Sequence, residues 1–189
     1  MKKILFINAC ARPYSRTYLL AQEVLKKLDG EINQVNLYQE NLLPIDWEQL
    51  INRDQLIISK NLSAPIFKYA NQFLMSDDIV IAAPYWDLAF PSILKVYLEH
   101  ITITGVTFRY SEGGIPIGLC KANRIIYVTT AGGSIGNNNF GYDYIKALAT
   151  TFYGIPNILC FKAENLDIKG ADVNSILQKT INEIKNSNI

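Results

Sequence analysis

Three runs of apolar residues stand out along this chain: Lys3 to Ala9 (KILFINA), Ile79 to Ala83 (IVIAA) and Arg124 to Thr130 (RIIYVTT). Each is nearly continuous rather than alternating. That is the pattern of a strand covered on both faces, so the three predict the middle of a parallel sheet packed between helices. Asn33 to Tyr38 (NQVNLY) and Ile158 to Lys162 (ILCFK) are weaker strand candidates. Between these runs the apolar period changes to that of a helix. Ser15 to Leu28 puts Leu19, Leu20, Val24 and Leu28 on one face, with Ser15 or Thr17 as the N-cap and Asp29-Gly30 as the stop. Pro91 to about His100 opens on a proline, whose missing N–H is harmless in a first turn. Gly141 to Phe152 and Asp172 to Asn186 have helical patterns as well. The regular alternation of strand and helix predicts a doubly wound α/β fold.

Two segments fall outside that rhythm. Asn41 to Phe73 is too long for one crossover; it reads as two helices, about Trp47 to Ile57 and Ala64 to Phe73, with Trp47 or Phe67 either lining a pocket or packing. Gly105 to Leu119 (GVTFRYSEGGIPIGL) is β-rich around a Glu-Gly-Gly turn and reads as a small hairpin. No linker, repeat or low-complexity stretch divides the chain, so residues 1–189 are expected to form a single domain.

Composition narrows the partners. With 49% apolar and 19% charged residues and a formal net charge of +1, the chain has a sizeable core and no general electrostatic attraction for nucleic acid or an acidic membrane. Cys10, Cys120 and Cys160 are odd in number and widely spaced, which suits reduced thiols in a cytoplasm rather than a disulfide framework or a metal site. The N-terminal MKKILFINA run is short and β-branched, so it reads as a strand and not a signal peptide. No stretch approaches the roughly 20 apolar residues of a membrane span.

The candidate chemistry sits where the three strong strands end. In an open parallel sheet, ligands lie beyond the carboxyl ends of the strands, near the point where strand order reverses. The first strand runs into Asn8-Ala-Cys-Ala-Arg-Pro-Tyr-Ser-Arg-Thr17, the opening of a helix. Free N–H groups there, the hydroxyls of Ser15 and Thr17, and the charges of Arg12 and Arg16 suit an anion. Plain capping by Ser15 is the ordinary alternative. The next strong strand runs into Pro84-Tyr-Trp-Asp-Leu-Ala-Phe-Pro91, whose Tyr85-Trp86 pair can pack in a core or wall a flat ring. The last runs into Thr129-Thr-Ala-Gly-Gly133, where two glycines let backbone amides approach a ligand or simply make a tight turn. A phosphate grip, an aromatic wall and a glycine approach together describe a site for a planar, phosphorylated cofactor, FMN. No GxGxxG is present, which argues against a Rossmann dinucleotide site.

At IVIAAPYWDLAFPSILKVYLEH, GVTFRY and VTTAGG the chain resembles the flavodoxin-like FMN-dependent NAD(P)H:quinone oxidoreductases and azoreductases, with weaker likeness over nearly its whole length. The resemblance implies a flavodoxin-like five-stranded parallel sheet in the order 2-1-3-4-5, helices on both faces and a small hairpin insertion. It implies non-covalent FMN, NAD(P)H as hydride donor, and quinones, azo compounds or similar flat molecules as acceptors in a ping-pong cycle. It places Ser15, Arg16 and Thr17 at the phosphate, and the loop's own residues add the charge of Arg12 and a backbone contact from Cys10 beside them. It places Pro84, Tyr85, Trp86, Asp87 and Leu88 at one edge of the ring, and Thr130, Ala131, Gly132 and Gly133 along the other. It also implies a homodimer in which Tyr110 and Phe108 of the hairpin face the partner's cofactor. Cys10 stands where relatives often have serine, and Asp87 where many have asparagine. A carboxylate near the ring would oppose an anionic reduced state, so Asp87 is expected to act through its backbone or to point away.

Two other classes remain to be weighed. Cys10 to Thr17 also fits C-x5-R-[ST], the loop of low-molecular-weight cysteine phosphatases, with Cys10 as nucleophile and Arg16 holding the phosphoryl group. Against that reading, Pro13 removes an N–H from the loop, the loop has no glycine, and no Asp-Pro segment offers a general acid. A flavin-binding electron carrier or regulator is the other class, although the near-neutral charge and the hairpin favour an enzyme. His100, the sole histidine, reads as an ordinary helix-end residue, and no side chain is required as an acid or base.

Overall fold

The computed structural model describes residues 1–189. In chain order the elements are β1 (Lys3–Asn8), α1 (Arg16–Leu25), β2 (Glu31–Asn36), α2 (Trp47–Ile58), α3 (Lys68–Leu74), β3 (Asp78–Ala82) and α4 (Ser92–Ile101), then β4 (Phe108–Tyr110), β5 (Pro116–Gly118), β6 (Arg124–Thr130), α5 (Phe140–Leu148), β7 (Asn157–Ala163) and α6 (Val173–Asn186). Five strands form a parallel sheet in the order β2-β1-β3-β6-β7, while β4 and β5 pair antiparallel as a separate hairpin. Numbered within the large sheet alone, the order is 2-1-3-4-5, as the resemblance implied.

Strand periodicity divides the core into two layers. Ile4 and Phe6 of β1, Val80 of β3 and Ile126 of β6 pack under Leu20, Ala21 and Val24 of α1 and Ile184 of α6. Their neighbours Leu5, Ile7, Ile79, Ile81, Ile125 and Tyr127 point the other way, under Leu94, Tyr97 and Leu98 of α4 and Ile145 of α5. Successive side chains leave a strand on opposite faces, so each central strand must be apolar throughout. Truncating a fully buried ring such as Phe6 to alanine is expected to cost about 3–5 kcal/mol.

The local differences from the expected pattern have physical causes. Leu19 is 46% exposed, because the buried stripe of α1 runs through Thr17, Leu20, Ala21, Val24 and Leu25. The helix ends at Leu25, ahead of Asp29-Gly30, and Ser15 rather than Thr17 is its N-cap, accepting from the Tyr18 amide. The second strand lies earlier than NQVNLY: as an edge strand with a polar pattern, EINQVN, it gave no apolar signal, and Leu37–Gln39 is a 3-10 turn. Pro65 starts a 3-10 turn, Pro65–Phe67, so only Lys68–Leu74 continues as α-helix. Trp47 is largely exposed, whereas Phe67 is fully buried with Ala70, Ile103 and Val106. After α5 the chain widens into a π turn, Ala149–Tyr153, stopped by Gly154 at φ 71°. A Cβ on Gly118 would collide with the Tyr153–Gly154 backbone, so the hairpin lies flat on that turn.

The amino-terminal edge of the sheet is closed by paired charges. Asp78 is nearly buried and accepts from Arg124 Nε at 2.6 Å and Nη2 at 3.2 Å, with Lys2 Nζ at 3.7 Å. Beside it Asp77 accepts from the Lys3 amide at 2.8 Å and pairs with Lys121 Nζ at 2.7 Å. None of the helices is long and apolar enough to cross a membrane.

Candidate active site

The carboxyl ends of β1, β3 and β6 open into a cleft of about 340 Å³. It is lined by Arg12, Ser15, Arg16 and Thr17 from the first loop, Pro84, Tyr85 and Trp86 from the second, and Thr130, Ala131 and Gly132 from the third. Residues far apart in sequence thus meet as expected from the three loops. Cys10 lies outside this lining, in a neighbouring cleft, and Asp87, Leu88 and Gly133 lie just beyond its edge. Ala11, Tyr14, Leu166 and Asp167 complete the walls and had carried no sequence signal.

The first loop delivers the start of α1 to the cleft. The amides of Arg16 and Thr17 have no hydrogen-bond partner in the chain, as expected in a first helical turn. Ser15 Oγ accepts from the Tyr18 amide at 3.3 Å. Thr17 is fully buried and its hydroxyl lies 2.6 Å from that of Thr130, so these two side chains share one hydrogen bond and join the first loop to the third. Arg16 Nη1 donates to Asp167 Oδ1 at 2.8 Å, leaving its other N–H groups for a ligand.

The second loop is held in an uncommon conformation. Trp86 and Ala89 exchange amide-to-carbonyl bonds of 3.3 and 2.8 Å, closing a two-residue turn around Asp87 and Leu88 at φ 50° and 67°. Positive φ at both central positions is the geometry that Asn-Gly adopts readily. A leucine there carries strain of about 1–2 kcal/mol. The turn leaves the Asp87 and Leu88 amides without partners in the chain, and the Asp87 carboxylate makes no hydrogen bond or ion pair. Tyr85 fastens this loop to the third, its amide donating to Thr130 O at 3.0 Å and its hydroxyl to Asn138 O at 2.8 Å.

The third loop is held from behind. Amides of Asn165, Leu166 and Asp167 donate to the carbonyls of Gly133, Ala131 and Gly132 at 3.1, 3.2 and 2.9 Å. With those carbonyls engaged, the amides of Gly132 and Gly133 make no bond in the chain. A Cβ on Gly132 would collide with the Asp167 carboxylate that holds Arg16. The segment after β7 therefore supports both the glycine loop and Arg16.

Burial pushes the Cys10 thiol up to about 11, although the Ser15 hydroxyl and the Tyr18 amide pull the other way. A thiol held neutral at physiological pH is a poor nucleophile. In the hairpin, Phe108 is buried against Phe152, with ring centroids 4.7 Å apart, so only Tyr110 of the two expected aromatics stays half exposed. His100 Nε2 lies 2.9 Å from Leu43 O, away from the cleft.

A family model described as the flavodoxin-like fold matches residues 2–187. The chain is 34% identical over 197 aligned positions to FMN-dependent NADH:quinone oxidoreductase 2 of Clostridium acetobutylicum, covering 98% of this chain and 97% of that protein. It is 34% identical to the FMN-dependent NADH:quinone oxidoreductase of Clostridium beijerinckii, with the same coverage. Among solved structures, an azoreductase from Bacillus anthracis str. Sterne superposes with a TM-score of 0.83 at 24% identity over 97% of both chains, a likeness of fold. An FMN-dependent NADH-azoreductase from Bacillus anthracis str. Ames Ancestor, in complex with FMN, superposes with a TM-score of 0.75 at 26% identity, covering 98% of this chain and 96% of that one.

Proposed function

We propose a function from one premise: this chain belongs to the family of proteins with the flavodoxin-like fold. It is an FMN-dependent oxidoreductase of the NADH:quinone oxidoreductase and azoreductase type. The observation that carries this reading is the set of unpartnered backbone amides at one edge of the sheet: Arg16 and Thr17 in one loop, Asp87 and Leu88 in the second, Gly132 and Gly133 in the third.

That donor set fits FMN. In the proposed arrangement the first turn of α1, Ser15 and the guanidinium groups of Arg12 and Arg16 hold the phosphate. Amides of the strained turn meet the polar edge of the ring, Tyr85 and Trp86 shield it, and Gly132 and Gly133 approach it from the other loop. Thr17 contributes its amide, since its hydroxyl is occupied with Thr130. When bound, FMN supplies the redox chemistry, taking a hydride from NADH and passing it to a quinone or azo acceptor in alternating half-reactions. The chain's own residues position the reactants and exclude water, and no side chain is assigned as an acid or base. NADH is favoured over NADPH by the names of the curated relatives.

The proposal extends to a homodimer working in the cytoplasm from a single domain spanning residues 1–189. Supporting the dimer, α2 has no buried residue, and Trp47 and Ile58 on it are largely exposed. Half-exposed Tyr110 on the hairpin is the residue assigned to cover the partner's cofactor. Three free cysteines suit a reducing compartment.

The test is optical. Purified protein loaded with FMN should show flavin bands that bleach when NADH is added without oxygen, and recover on adding a quinone. Protein that takes up no FMN, yet hydrolyses p-nitrophenyl phosphate and loses that activity in Cys10→Ala, would sink the proposal. Bleaching with no turnover of any quinone, azo or nitro compound would instead indicate an electron carrier.

A further inference from the structure

A second cleft, of about 360 Å³, lies on the other side of Ala11 and Arg12, and those two residues line both clefts. Its walls come from the carboxyl ends of β1 and β2 and the turn after β2. The side-chain amides of Asn8, Gln34, Asn36 and Gln39 and the phenol rings of Tyr18 and Tyr38 make up most of them, and Cys10, Ala11 and Pro13 complete the lining with Arg12. Asn36 organises the amides: its Oδ1 accepts from Asn8 Nδ2 at 2.8 Å and from Gln34 Nε2 at 2.7 Å, and its Nδ2 donates to Gln39 Oε1 at 3.1 Å. That chain of bonds fixes the rotamers and leaves two groups unused, Gln34 Oε1 as an acceptor and Gln39 Nε2 as a donor. The ring of Tyr38, half exposed, lies beside them, and Arg12 is the one charged residue of the lining, with no carboxylate present.

These features match one ligand chemistry. A free donor with a free acceptor complements the hydrogen-bonding edge of a purine, and an exposed phenol ring offers a stacking surface. We propose that this cleft binds the adenosine monophosphate half of the NADH donor, with Gln34 and Gln39 on the base edge and Tyr38 against the base, while Arg12 stays with the FMN phosphate in the neighbouring cleft. The inference rests on the oxidoreductase reading above, in which the nicotinamide half reaches the neighbouring cleft.

ADP-ribose carries the adenosine and pyrophosphate but no nicotinamide, so it probes this cleft without any redox step. Calorimetric titration into FMN-loaded protein should show binding, weakened about tenfold or more in Tyr38→Ala and in Gln39→Leu. In turnover, the same variants should raise KM for NADH about tenfold with FMN affinity and kcat kept. Their KM for reduced nicotinamide mononucleotide, which lacks the adenylate, should not change. An unchanged KM for NADH, or an equal rise for both donors, would overturn the proposal. Gln34→Leu, on the exposed edge strand, gives an independent variant should either of the others fold poorly. Failure of NADH to reduce the unmodified, FMN-loaded protein would overturn the oxidoreductase reading and this inference with it. Intact reduction with no ADP-ribose binding would overturn this inference alone.

Discussion

The two edges of the central sheet are built on opposite terms. At the amino-terminal edge polar groups are paired: Asp78 with Arg124 and Lys2, and Asp77 with Lys121 and the Lys3 amide. At the carboxyl edge six backbone amides from three loops have no partner in the chain, and the second loop carries strain at Asp87 and Leu88. Both edges belong to the same strands, so burial and twist do not account for the difference. One edge is finished for stability, whereas the other leaves donors exposed and ready for an anion and a polar ring. Ligands favour the carboxyl edge of such sheets because helix starts and turns face it.

The comparison predicts that stability and cofactor affinity separate cleanly by edge. The largest effect belongs to the paired edge. Asp78→Ala strands the Arg124 guanidinium and should cost about 3–5 kcal/mol in urea unfolding, while the folded fraction binds FMN as before. Loss of FMN affinity without loss of stability would break the contrast. On the open edge, Gly132→Val should drive the Asp167 carboxylate off Arg16 and lower FMN affinity about a hundredfold, with stability changed by less than about 1 kcal/mol. Fluorescence titration and chemical unfolding on one sample check both halves.

A pH profile sharpens the same contrast at Cys10. Burial raises this thiol from 9.0 to about 11, so the folded protein keeps its proton while an unfolded chain gives it up. Its contribution to stability is therefore complete below pH 9 and declines as pH rises from there to about 11. Alkylation by iodoacetamide, followed at the Cys10 peptide by mass spectrometry, should be slow at pH 8 and reach half its maximum near pH 11. An inflection near pH 7 would return the nucleophile reading to contention. The smallest effect is in the strained turn: Asp87→Asn with Leu88→Gly should stabilise the protein by about 1 kcal/mol and keep FMN affinity, since the amides stay in place.

Much of this was legible in the sequence, unevenly and for identifiable reasons. The continuous apolar runs of β1, β3 and β6 announce strands covered on both sides, and the run Arg124 to Thr130 coincides with β6 from end to end. The edge strand β2 was displaced because EINQVN carries almost no apolar signal. Leu19 lies next to the buried stripe of α1, where a leucine has the same local pattern as one within it. In the site, the three loops were visible because each follows a strong strand. Asp167 is not: it lies 151 residues from Arg16, after a weak strand, and nothing in Asn165-Leu166-Asp167 marks it as the support of the glycine loop. The hydroxyl pair of Thr17 and Thr130 is likewise a product of the strand order, invisible to local pattern. Phe108, expected with Tyr110 to face a partner's cofactor, is instead buried by Phe152, and nothing in the local pattern of GVTFRY signals that contact.

The central claim is that the start of α1, with Arg12 and Arg16, grips the phosphate of FMN. It is tested most directly by comparing FMN with riboflavin, which shares the ring and lacks the phosphate, in titrations of the unmodified protein and of Arg12→Ala/Arg16→Ala. The account predicts that the unmodified protein prefers FMN by about a hundredfold or more, and that the double variant loses most of that preference while binding riboflavin as before. Equal affinity for the two flavins in the unmodified protein, or an undiminished preference in the variant, would contradict it.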